Sequence, residues 1–162
     1  MKLLISDANI FIDMKAGGLV EAMFRLPEIF AVLDILFMEE LVEYHLELPG
    51  YGLQVMSLTE ETVAESMRLR QQHRHPSQND LFALALAKQE SCPLLTGDRR
   101  LRDVAKQEGV VLKGTLWLIE RMVEEAIISV DRRCGRCLRR HAPRKASVAV
   151  GGGYEAVEAV WP

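Results

Sequence analysis

Short apolar runs alternate with helix-like stretches along the first four-fifths of this 162-residue chain, and that alternation narrows the choice of folds more than any other feature. Residues 2–6 (KLLIS), 28–34 (EIFAVLD), 53–58 (LQVMSL), 92–98 (CPLLTGD) and 110–114 (VVLKG) read as strands. Between them, 8–16, 37–48, 59–73, 76–91, 98–109 and 115–127 read as helices. Gly17-Gly18 suits the end of the first helix, and Pro49-Gly50 a break after the second. Thr59 and Thr62 both suit the N-cap of the next. The stretch 76–91 is apolar almost all round, which suits a helix buried between neighbours. Strands separated by helices imply an α/β fold of three layers, with a central parallel sheet flanked by helices. Right-handed crossovers then bring every strand-to-helix junction to one edge of the sheet.

Composition bounds the rest. An apolar fraction of 49% suits a globular domain, and a net charge of -3 gives no global field favouring nucleic acid. Three cysteines without a secretory leader fit a reducing, cytoplasmic setting, and no apolar run is long enough for a membrane span. The expected folded domain is 1–128. Beyond it, 129–162 reads as a basic, glycine-containing, weakly ordered tail. Residues 131–145 hold seven of the 20 Lys and Arg, an abrupt shift that fits an appendage or a change of reading frame. Cys134, Cys137 and His141 offer three zinc ligands with no clear fourth.

Four carboxylates lie at or near such junctions: Asp7, Glu40, Asp80 and Asp98. Each has a plain structural explanation. Asp7 and Asp98 suit helix N-caps, Asp80 follows Ser77 at capping-box spacing, and Glu40 lies on an acidic stripe with Glu43 and Glu47. Together they suggest more, because open α/β sheets bind ligands at their carboxyl edge. Acids crowded there raise one another's pKa and need cations to stay ionised; Mg²⁺ or Mn²⁺ suits an all-oxygen set. Such an ion polarises a phosphoryl oxygen, which points to phosphodiester hydrolysis.

Five segments in order resemble the PIN-domain ribonucleases: LLISDANIFID, FMEEL, SQNDLFALALA, LLTGDRRL and GVVLKGTLWLI. The resemblance covers roughly residues 2–120. It implies metal-dependent cleavage of single-stranded or structured RNA, with Asp7, Glu40, Asp80 and Asp98 as catalytic and metal-binding residues. It also implies that Asn9 and Thr96 orient those carboxylates. From the family alone come a protein antitoxin partner and a homodimer. Glu39 competes with Glu40 for the same role, and Asp13 lies one turn beyond Asn9. Arg99, Arg100 and Arg102 are candidates for RNA phosphates or for a solvated face, as is the basic stretch 68–75. His73 and His75 read as exposed loop residues, and 116–122 as core or a dimer face. Two rival readings share these residues: a binding module without turnover, and a phosphoaspartate enzyme using Lys113.

Overall fold

The computed structural model describes residues 2–129. Five parallel strands form one sheet in the order β3-β2-β1-β4-β5: β1 (Leu3–Ser6), β2 (Ile29–Leu33), β3 (Gln54–Met56), β4 (Leu94–Leu95) and β5 (Leu112–Lys113). Ile5 pairs with Ala31 on one side and Leu94 on the other, so β1 is central. The chain first adds strands on one flank of β1, then returns to add β4 and β5 on the other. The order therefore reverses between β1 and β4, and parallel sheets open a crevice at such a point. The expected strands and parallel sheet are present, although the strands are shorter than the apolar runs.

Helix α1 (Ala8–Gly17) ends at Gly18, whose φ of 67° favours glycine. Next comes α2 (Val20–Met23), which the sequence did not signal. It is held by tertiary contacts around Phe24, which stacks on Phe11 and Tyr51 and meets Phe30 edge-on. The expected helix 37–48 is instead a series: α3 (Asp34–Leu36), a π-helical turn (Phe37–Leu41), α4 (Val42–His45) and α5 (Leu48–Tyr51). Pro49 and Gly50 lie inside α5 rather than breaking the chain, because proline is tolerated in a helix's first turn. Gly52 ends that turn with a positive φ.

Helix α6 (Glu60–Gln72) is capped by Thr59, which settles the choice left open with Thr62. Helix α7 (Gln78–Gln89) buries Leu81, Ala83, Leu84, Ala85, Leu86 and Ala87, so its non-periodic apolar composition does mark a helix enclosed by neighbours. Helices α8 (Arg99–Gln107) and α9 (Thr115–Glu124) complete the layers. Leu118, Ile119 and Met122 of α9 belong to the core, and Arg121 ties α9 to Glu28 before β2. Among the described residues no helix is long and apolar enough to cross a membrane. The basic tail and the Cys134, Cys137 and His141 group lie outside the described residues.

Candidate active site

The crevice between β1 and β4 collects three aspartates at the starts of three helices. Asp7 follows β1, and its amide donates to the Leu95 carbonyl of β4. Its Oδ1 accepts from Ile10 N at 3.1 Å, capping α1. Asp98 follows β4 and caps α8, Oδ1 accepting from Leu101 N at 2.8 Å. Asp80 closes a capping box on α7: Ser77 N donates to its Oδ2, and its own amide donates to Ser77 Oγ. All three local explanations for these acids are thus realised.

They do not exhaust the carboxylates, because a cap occupies one oxygen and leaves the other. Asp7 is 2% exposed, and its Oδ2 is buried without a hydrogen-bond partner among the described residues. Burial raises its pKa from 3.8 to about 7. The Thr96 hydroxyl and the Ile10 amide oppose that rise, whereas the charges of Asp80 and Asp98 add to it. This electrostatic link brings the three aspartates into one neighbourhood. Among the described residues, however, no three His, Cys, Asp or Glu side chains form a group able to hold a metal ion.

Glu40 sits in the π-helical turn, a feature often found at functional sites. Asn79 Nδ2 donates to Glu40 Oε1 at 2.7 Å and to Glu39 Oε2 at 3.0 Å. One amide therefore gathers both glutamates against the residue preceding Asp80. Sequence reasoning missed Asn79; its place between Ser77 and Asp80 was the available signal.

Thr96 is fully buried and accepts from Asp98 N through Oγ1 at 3.0 Å, so it supports the turn carrying Asp98 as well as facing Asp7. Asn9 is exposed and makes no side-chain hydrogen bond among the described residues. Asp13 is half-buried on α1. Arg99 and Arg100 are exposed at the start of α8. Arg102 instead turns inward, donating through Nη1 to the carbonyls of Thr96 and Lys113. It crosses so close to Gly114 that a Cβ there would lie 2.9 Å from Nη1. Lys113 places its ammonium over the Trp117 ring at 4.8 Å. His73 is half-buried rather than exposed, because its Nε2 meets Glu108 at 3.3 Å.

A parallel three-layer sheet with acids at its switch point defines a class of α/β proteins with a polar crevice for charged ligands. The family model described as DUF3368, a PIN domain, matches residues 3–140, and the chain belongs to that PIN-domain family, whose members are in general hydrolytic nucleases. Similar solved structures include a toxin-antitoxin complex from Klebsiella pneumoniae, 26% identical, with a TM-score of 0.51 over 67% of this chain and 95% of that one. Another is a PilT N-terminus domain protein from the archaeon Sulfolobus solfataricus P2, 15% identical, with a TM-score of 0.50 over 76% and 95% of the two chains. A third is VapBC2 from Rickettsia felis bound to a promoter DNA fragment, 14% identical, with a TM-score of 0.50 over 69% and 98%. The last two bear on fold alone. No curated protein matches the sequence.

Proposed function

We propose that the chain is a Mg²⁺- or Mn²⁺-dependent endoribonuclease that cleaves single-stranded RNA in the cytoplasm as the toxin of a toxin–antitoxin pair. The observation that carries this reading is the buried, unpartnered Oδ2 of Asp7, in a carboxylate on which the negative charges of Asp80 and Asp98 act. A carboxylate so placed is costly to ionise alone, and a hard cation relieves that cost. Asp7 Oδ2, Asp80 Oδ1, Asp98 Oδ2 and Glu40 Oε2 are the oxygens left over from the caps and from Asn79, and carboxylate oxygens are the donor type that such an ion takes. When bound, the ion supplies Lewis acidity towards a phosphoryl oxygen and lowers the pKa of water. The protein's part is to hold these oxygens on the ends of rigid elements and to floor the crevice with buried Leu95 and Thr96. Arg99 and Arg100 stand beside Asp98 to meet RNA phosphates, and Arg102 spends part of its guanidinium on the backbone.

Asp7→Asn and Asp98→Asn retain a capping oxygen, so both variants should fold while losing cleavage by about two orders of magnitude or more. The assay is cleavage of labelled single-stranded RNA with added Mn²⁺, run beside circular dichroism. Full activity in well-folded Asp7→Asn protein removes the assignment.

A second reading is a PIN-like module that binds metal or partner without turnover, and exposed apolar side chains along 34–46 support the partner. Mn²⁺ binding by calorimetry with no cleavage of any RNA selects it. A protein partner is supported by exposed Ile35, Met38, Tyr44 and Leu46 along 34–46. Light scattering of the chain, alone and coexpressed with its neighbouring gene product, tests both the antitoxin and the homodimer.

A further inference from the structure

A second cationic feature lies beyond the carboxylate crevice. The turn between α6 and α7 and the flank of α8 enclose a cleft of about 400 Å³, lined by Arg74, His75, Pro76, Arg100, Asp103 and Val104 among others. Arg74, His75 and Arg100 are exposed and form no side-chain hydrogen bond or ion pair with any described residue. Most other cations nearby are engaged: Arg68 and Lys88 with Glu65 and Glu108, and His73 with Glu108. Asp103 is the one carboxylate lining the cleft, so the two arginines leave it net positive even with both histidines neutral.

The turn is also held in place. Arg70 Nη1 donates to the Pro76 carbonyl at 2.7 Å and to the Arg74 carbonyl at 3.5 Å, and Pro76 is buried. A guanidinium clamped onto the backbone presets the turn that presents Arg74 and His75, which reduces the ordering cost of binding. Both walls lead back to the acidic crevice. Pro76 lies just before the α7 cap that carries Asp80, and Arg100 lies two residues after Asp98. From Asp98 to the α8 residues of the cleft, Arg100 to Gln107, is about 3–14 Å along the helix at 1.5 Å per residue. That is roughly one to four nucleotides of a stacked strand at about 3.4 Å each.

We propose that this cleft binds an internal backbone phosphate of the RNA strand whose scissile bond lies at the carboxylates, with Arg74 and Arg100 as the phosphate ligands. The assignment rests on the ribonuclease reading. It places a sequence-independent anchor on one side of the cut and thereby sets the shortest strand that is held well.

The test uses the full chain carrying Asp7→Asn, in chelator, so that binding is read without cleavage. Affinity for a fluorescent single-stranded RNA is followed by anisotropy from about 50 to about 200 mM salt. Adding Arg74→Ala and Arg100→Ala should weaken binding by roughly tenfold at low salt and reduce the salt slope by about 0.7, the value for one lost phosphate contact. Replacing single phosphates by uncharged methylphosphonates should reveal one position, a few nucleotides from the scissile bond, where the parent loses affinity and the double variant does not. Lysine at both sites should restore most of the slope. RNA bound with an unchanged slope in the alanine variant overturns the cleft and leaves the ribonuclease reading standing. Competition by inorganic phosphate or a mononucleotide as strong as by the strand also overturns it, in favour of a free-anion site. No RNA binding by the parent overturns both readings.

Discussion

Asp7 commits Oδ1 to the first turn of α1 and leaves Oδ2 buried beside two other acids. That arrangement has a sign in stability. Its folded-state pKa of about 7 lies above the ordinary 3.8, so between those values the folded protein binds more protons than the unfolded chain. Stability from this residue is full below about pH 4 and falls as pH rises through about 7, by as much as ~4 kcal/mol. Asparagine keeps the cap and removes the charge. In chelator, Asp7→Asn should therefore melt above the parent near pH 8, with the gap closing towards about pH 4. Thermal melts across that range decide it, and an equal or lower melting temperature near pH 8 contradicts the burial argument. The individual acids were readable from the sequence because each follows a strand or a capping signal. Their shared electrostatics was not, since it depends on which strands become neighbours. Asn79 escaped notice because it contacts Glu39 and Glu40 only after two distant segments meet.

The α7 element shows how far local pattern carries. Ser77 and Asp80 announce its start, and the structure contains the reciprocal capping box. Ser77→Ala should cost about 1 kcal/mol, and Leu84→Ala, at a fully buried position, about 2–5 kcal/mol; urea titration distinguishes the two. Asn79→Ala has a different signature. Its amide is near the surface, so stability should change by less than about 1 kcal/mol, while cleavage falls and needs more Mn²⁺ because Glu40 loses its donor. A loss of melting temperature comparable to Leu84→Ala would give Asn79 a structural role instead. The segment 34–51 was less legible. A π-helical turn reflects a shift in hydrogen-bond register that composition does not encode, and α5 accepts proline at its start. Residues 20–23 lack a long periodic pattern, and their helix is secured by the aromatic contacts of Phe24.

Across the molecule, a part-buried charge network joins α6, α7 and the end of α8. Arg68 pairs with Glu65 and Glu108, Lys88 bridges the same two acids, and His73 meets Glu108. The cationic partners hold both glutamates down at about 2, against an ordinary 4.5, although burial opposes the shift. Such groups contribute stability above the unfolded value and lose it as pH falls towards 2. Glu108→Gln should lower the melting temperature near pH 7 and converge with the parent near pH 2–3; parallel melting curves across that range count against the network. Apart from Arg68 and Glu65, three residues apart on one helix, these pairings were not visible beforehand, because they connect positions 20 to 40 residues apart. The layered sheet was visible, since apolar runs and helical stretches alternate over most of the chain. Its strand order has a consequence for synthesis. Strands β1, β2 and β3 are made first and lie side by side, but the crevice lacks its opposite wall until β4 and Asp98 are made and added to the far flank of β1. If the domain is a toxin, a ribosome-bound fragment is harmless by construction, and the cell is exposed to its activity only once nearly the whole domain has been translated.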